Sequence, residues 1–187
     1  MSGFSCWDLP GPARTLRFGQ ALGRLLRAGD VVGLRGPLGA GKTLLTQGVA
    51  AGIGVPDDQP VVSPTFVLVR QYVGRLKLYH IDAYRLGGAD DLIALGFEEM
   101  VEEPGAAVVV EWADRVTAAL PAHTWWVDLF HVSPRRRRAC VRVPDVRRRS
   151  GLADELAAAG LRMHRGGFPG AMVDSQCGGP DTSIELE

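Results

Sequence analysis

Apolar residues recur at helical spacing through residues 15–28, where Leu16, Leu22, Leu25 and Leu26 share one side, and Gly29-Asp30 stops this predicted helix. The run VVGLRG (31–36) then reads as a short strand. A second helix is expected over 42–53, closed by Gly54. Two β-rich runs, 65–72 and 76–82, meet at Gly74 and suggest a hairpin. The acidic stretch 89–103 reads as one or two short helices broken at Gly96, and AVVVEW (107–112) is a continuous apolar run of the kind buried in a parallel sheet. Residues 125–132 and 139–143 make two further candidate strands with SPRRRR as the turn between them, and 152–161 a last helix. From about residue 165 onward Gly and Pro crowd the chain and apolar periodicity is lost.

With 187 residues, 46% of them apolar, the chain can bury one sizeable core but not two. The expected organisation is an amino-terminal extension over 1–14, one domain over 15–161 and a disordered tail over 162–187. Lysine plus arginine equals aspartate plus glutamate at 21 each, so any attraction to nucleic acid has to be local. The three cysteines, Cys6, Cys140 and Cys177, lie far apart and lack the close pairs of zinc sites or disulfide frameworks, which fits a reducing cytoplasm with unpaired thiols. No basic segment followed by an apolar stretch opens the chain, and no apolar run approaches the ~18 residues of a membrane span. The expectation is a cytoplasmic protein with no membrane association.

Candidate chemistry centres on GPLGAGKT (36–43), which lies between a predicted strand and a predicted helix. Gly36, Gly39 and Gly41 permit positive φ and close backbone approach to a ligand. The main-chain N–H groups of the loop, through Gly36, Leu38, Gly39, Ala40 and Gly41, and the positive end of the next helix can then hold phosphates. In this pattern Lys42 reaches the β- and γ-phosphates and the Thr43 hydroxyl ligates Mg2+. Such a site also needs a carboxylate at the end of a neighbouring buried strand. Glu111, ending VVVE, meets that description as a water-mediated metal partner or as the group that orients the attacking water. Asp82 ends LYHID in the same manner, with Leu78, His80 and Asp82 on one face of the strand. For Asp82 a metal role and an N-cap or salt-bridge role both stay open. His80 reads as a hydrogen-bonded structural histidine, SPT (63–65) as a turn in the place where nucleotide switches put a hydroxyl, and Trp112 as core or as a lid on the nucleotide.

Taken together, LGAGKT (38–43), SPTF (63–66), YHIDAYRL (79–86), LGFEEM (95–100) and VVVEWADR (108–115) resemble the bacterial TsaE (YjeE) family, the ATPase component of the machinery that makes N6-threonylcarbamoyladenosine in tRNA. The resemblance runs from about residue 15 to 143. It implies an α/β fold of the P-loop NTPase kind, a mostly parallel sheet flanked by helices with an antiparallel hairpin. It also carries nucleotide contacts onto Gly39, Gly41, Lys42 and Thr43, switch-like hydroxyls onto Ser63 and Thr65, and the strand-end positions onto Asp82, Glu111 and Trp112. By the same resemblance the cofactors are ATP and Mg2+, the partner is a TsaD–TsaB heterodimer, and turnover resets that complex, slowly alone and faster with the partner.

Two other readings stay open. A small-molecule kinase would share the loop and carboxylates but usually adds an arginine-bearing lid. A nucleotide-gated binding module would need the same site with negligible turnover. With no asparagine in the chain, the guanine-reading Asn-Lys-x-Asp signature is absent, which favours adenine. Residues 135–149 hold eight arginines against the single acid Asp145. This 135–149 stretch is expected to be exposed, a solvated hairpin tip or, through Arg135–Arg138, a contact for tRNA phosphates or an acidic partner.

Overall fold

In a computed structural model describing residues 4–164 and residue 166, the chain forms β1 (Ser5–Pro10), α1 (Pro12–Leu25), β2 (Val31–Arg35), α2 (Lys42–Gly52), β3 (Val69–Val73) and β4 (Lys77–Asp82). These are followed by α3 (Ala89–Ala94), α4 (Phe97–Glu102), β5 (Ala106–Glu111), β6 (Trp125–Ser133), β7 (Arg136–Arg142) and α5 (Val146–Ala158), with short 3₁₀ helices at Ala83–Arg85 and Ala113–Ala119. The seven strands make one sheet in the order β1-β7-β6-β2-β5-β4-β3. Its inner strands β6, β2, β5 and β4 are parallel, as the continuous apolar runs predict, and antiparallel partners flank them on both sides.

Two-residue alternation divides the core between the faces. Val32, Leu34, Leu78, Val109 and Val127 pack with α1, α2 and α5. Val31, Tyr79, Ile81, Val108 and Val110 pack with α3, α4 and the second 3₁₀ helix. Asp82 pairs with Glu111 in register, and Glu111 with Leu34, so three parallel strands end side by side. This arrangement places both carboxylates at the sheet edge where the loop after β2 turns into α2.

α1 lies against α2 with almost no side chain between them. A Cβ added at Gly19 would stand 2.3 Å from the Leu45 carbonyl oxygen, and one at Gly48 2.3 Å from that of Leu16; Gly23 and Gly52 meet the facing backbone in the same way. The approach is close enough that only glycine fits at these four positions.

Several sequence expectations need correction. Residues 5–10, read as an extension ahead of the domain, are an edge strand of the same sheet, antiparallel to β7. Residues 65–67 form a turn, not the start of a strand, because the Val67 and Leu68 amides donate to the Pro64 carbonyl. The SPRRRR turn shrinks to Pro134 and Arg135, since Ser133 ends β6 and Arg136–Arg138 already belong to β7. α5 begins six residues earlier than 152, where the Asp145 carboxylate accepts from the Arg147 and Arg148 amides as an N-cap. Cys6 and Cys140, expected as separate thiols, oppose each other across β1 and β7 and form a disulfide. Their 134-residue separation hides the pairing, and the antiparallel register creates it. Of the tail expected to be disordered, Met163 bridges to Trp7 and the His164 amide donates to the Cys6 carbonyl; from 167 onward it lies outside the described residues. Among the described residues no helix is long and apolar enough to cross a membrane.

Candidate nucleotide site

The loop between β2 and α2 is built by its glycines. Gly36 (φ 140°), Gly39 (φ 73°) and Gly41 (φ 100°) all take positive φ, and a Cβ on Gly36 would stand 2.4 Å from the Leu129 carbonyl oxygen on β6. β6 thus braces the loop from beneath. The loop is also gripped at its base, where Arg35 forms a two-pronged ion pair with the buried Asp128 at 2.5 and 2.8 Å. Burial pushes the Asp128 carboxyl up, against the lowering pull of Arg35. Outside the loop, Arg137 donates to the Gly39 carbonyl oxygen at 3.3 Å. Desolvation, with the charges of Arg137 and Lys42, holds His131 below the usual imidazole range.

Lys42 opens α2. Its Nζ donates to the carbonyl oxygens of Gly36 (2.7 Å) and Pro37 (3.0 Å) and lies 3.4 Å from the centre of the Trp112 ring. A cation over an indole face is favourable, the more so when desolvated, and Lys42 is buried. Trp112 reaches it from a left-handed backbone conformation (φ 59°), one that costs energy for a non-glycine residue and recurs at functional sites. Its other neighbour is Tyr84, with ring centroids 5.0 Å apart.

Glu111 ends β5 beneath the first turn of α2. Its Oε2 accepts from the Thr43 hydroxyl at 2.9 Å, while Oε1 accepts from His80 Nε2 at 2.7 Å and, at 3.5 Å, from Thr46. Asp82, its neighbour on β4, is equally committed. Oδ2 accepts from Ser63 (2.7 Å) and Thr65 (2.8 Å), and Oδ1 caps the following 3₁₀ turn through the Tyr84 amide at 3.0 Å. Of the two roles left open for Asp82 the N-cap is present, and its other oxygen binds the SPT hydroxyls beside the loop. Both carboxylates are buried, a state that requires such donors.

The structure thus brings Lys42, Thr43, Glu111 and Trp112 into one constellation and joins Asp82 to Thr65 next to it. Leu38 stands at the exposed crest of the loop, 82% accessible, and Ala40 is fully buried beneath it. Sequence reasoning missed Thr46, although its three-residue spacing from Thr43 puts both on one helix face. It also read His80 as structural without finding its partner, which lies 31 positions away. One hydroxyl and two carboxylates, all hard oxygen donors, suit a magnesium ion that keeps most of its shell as water and phosphate oxygens. The 135–149 stretch is not uniformly exposed as expected: Ala139, Cys140, Val141 and Val143 are buried, and Arg148 is largely covered. Arg138 pairs with Asp8 and Arg137 lies on the loop, which leaves Arg135 and Arg136 facing solvent.

Comparison with known proteins finds relatives of one family. The family model described as "Threonylcarbamoyl adenosine biosynthesis protein TsaE" matches residues 9–139. A protein from Treponema pallidum named tRNA threonylcarbamoyladenosine biosynthesis protein TsaE is 44% identical over 115 residues, covering 62% of this chain and 83% of its own. The protein of that name from Mycobacterium tuberculosis (strain H37Rv) is 40% identical over 143 residues, covering 71% and 83%. Among solved structures, the one described as Bacillus subtilis YdiB superposes with a TM-score of 0.68 at 28% identity, covering 84% of this chain and 96% of that one.

Proposed function

The chain belongs to the TsaE family, and on that premise we propose that it is a magnesium-dependent ATPase that supports N6-threonylcarbamoyladenosine modification of tRNA in complex with a TsaD–TsaB heterodimer. Support comes chiefly from the Thr43–Glu111 hydrogen bond, which joins the first turn after the glycine loop to the carboxylate at the end of β5. Main-chain N–H groups of Gly36, Leu38, Gly39, Ala40 and Gly41 and the N-terminus of α2 hold the phosphates. Lys42 exchanges its loop carbonyls for phosphate oxygens while remaining beside Trp112. Thr43 would offer an oxygen lone pair to the metal while its hydroxyl still donates to Glu111. Bound magnesium supplies charge neutralisation on the β- and γ-phosphate oxygens. Glu111 and Asp82 would hold waters of such a metal, and Thr65, which donates to Asp82, would sense the terminal phosphate.

Phosphoryl transfer depends on donors arrayed about the γ-phosphate, and P-loop proteins often receive the last one from a partner. Turnover is accordingly slow alone and faster with TsaD–TsaB. Leu38 and Phe66, 82% and 85% exposed, and half-exposed Tyr84 surround the site with apolar surface suited to a docking partner. The reading places the chain in the cytoplasm, where tRNA is modified.

Nucleotide titration and phosphate release with Lys42→Ala and Glu111→Gln test this reading. Lys42→Ala should abolish ATP binding. Glu111→Gln should keep binding within a few-fold and lower turnover by about 10²-fold. Equal loss of both by Glu111→Gln, or a phosphorylated small-molecule product from the chain alone, would reject it.

A further inference from the structure

His80 has no part in the chemistry described so far, yet it is one of the most enclosed polar side chains in the molecule, with no accessible surface. It stands on β4 two residues before Asp82 and on the same face, with Val109 of β5 beside it in register. From there it reaches forward to Glu111, two residues beyond Val109. A carboxylate only accepts, so the proton between His80 Nε2 and Glu111 Oε1 belongs to the ring nitrogen. Among the described residues Nδ1 has no hydrogen-bond partner, although it is buried. A buried polar atom left without a partner costs free energy, so a histidine serving only to fill space would be disfavoured against an apolar residue here. The cost is offset at the other end of the ring.

Glu111 has two oxygens with different work. Oε2 faces Thr43, on the side of the nucleotide loop. Oε1 is held from behind by His80 at 2.7 Å and weakly by Thr46 at 3.5 Å. Remove the His80 donor and Oε1 keeps only the long contact to Thr46, so the carboxylate is free to turn about its terminal torsion and Oε2 leaves Thr43. We propose that His80 is a positioning residue for the nucleotide reaction: it locks the Glu111 carboxylate in the orientation that presents Oε2 to Thr43 and to a magnesium-bound nucleotide. This rests on the proposed ATPase reading and adds to it the group that aims its key carboxylate.

The test uses the full chain, with His80→Leu removing the donor and His80→Gln restoring an N–H near the Nε2 position. Affinity for a fluorescent ATP analogue is measured in EDTA and in magnesium, alongside phosphate release. In EDTA, His80→Leu should bind within about twofold of wild type, because the loop amides and Lys42 do not involve His80. Its magnesium-linked gain in affinity and its turnover should fall about 10- to 100-fold, the usual effect of losing a group that orients a metal-site ligand. His80→Gln should recover most of both. Wild-type behaviour of His80→Leu in magnesium, equal losses in EDTA and magnesium, or no recovery with glutamine would each overturn the proposal.

Nitrogen-15 NMR of the wild-type histidines gives a readout that needs neither turnover nor a folded His80→Leu. The proton should reside on Nε2 of His80, exchange slowly, and lose that protection in Glu111→Ala; a proton on Nδ1 instead would sink the idea. If the wild-type chain bound no nucleotide with magnesium, the ATPase reading itself would fall, and the NMR result would still decide whether His80 orients Glu111.

Discussion

Arg148 shows how a single residue in an arginine-rich stretch acquires a task that its neighbours lack. It reaches back from α5 to Asp30, forming a two-pronged pair at the end of the turn before β2, donates to the Leu25 carbonyl at 2.8 Å, and stacks 4.4 Å from the Trp125 ring centre. Asp30 in turn accepts from the Arg27 amide. Truncating one partner of a buried pair strands the other charge, so Arg148→Met should lower unfolding stability by about 3–5 kcal/mol. Adding Asp30→Leu should recover much of that loss. Urea denaturation of the single and double variants measures both, and a single variant within 1 kcal/mol of wild type (about fivefold in the unfolding equilibrium) would show the pair to be incidental. The contrast with Arg135 and Arg136, which face solvent, is one of position and not of residue type.

At the scale of elements, the α1–α2 seam governs how the phosphate loop is held, because α2 begins in that loop. Gly48→Ala places a methyl group 2.3 Å from the Leu16 carbonyl oxygen, and neither helix can yield locally. A loss of about 1–3 kcal/mol or more is expected, together with weaker nucleotide binding as α2 is pushed away. Gly151→Ala in α5 is the matching control. Its nearest neighbour is the Leu25 methyl at 3.9 Å, so the variant should be neutral or more stable by up to about 1 kcal/mol. Thermal melts and nucleotide titrations of the two variants decide the matter.

The α5 cap adds a pH dependence. The Arg148 amide, and with it the Arg147 amide, holds the Asp145 carboxyl below the usual aspartate range, against a smaller upward push from burial. A depressed folded-state value means that the charge stabilises fully above the unfolded value of about 4, and that this advantage disappears as pH falls through the folded one. Asp145→Asn keeps a capping side chain without charge. Its stability deficit at pH 7 should therefore close in acid; a deficit constant from pH 7 to pH 2, as followed by circular dichroism, would contradict the assignment.

At the scale of the whole molecule, the first described strand is tied to segments far along the chain. β1 and the residues after α5 meet along one sheet edge, where Cys6 is bonded to Cys140 and Asp8 contacts both Arg138 and His164. Cross-linking over so long a separation restricts the unfolded chain, and reduction should cost about 2–4 kcal/mol, on the order of 10 °C in melting temperature. A Cys6→Ala/Cys140→Ala variant should melt like the reduced protein and ignore added dithiothreitol. Alkylation of both thiols in protein purified without reductant would show that the bond does not form in solution.

The glycine loop, its lysine and threonine, and the strands ending in Asp82 and Glu111 were legible in the chain because each is a local pattern: a backbone conformation available only to glycine, or an apolar run terminated by an acid. From α1 to α5 the type and order of the main elements followed from the same local periodicities, as did the strand–loop–helix order of a nucleotide site, whereas β1 was not read as a strand. Pairings across long separations were not legible. The His80–Glu111 contact, the Cys6–Cys140 bond, the Asp30–Arg148 pair and the β1–β7 edge join residues that no local period connects; strand register and helix packing bring them together. Sequence by itself determined which groups the proposed phosphate and metal site could draw on. Only the tertiary structure decided which way those groups point, because a carboxylate's direction depends on donors supplied by other elements.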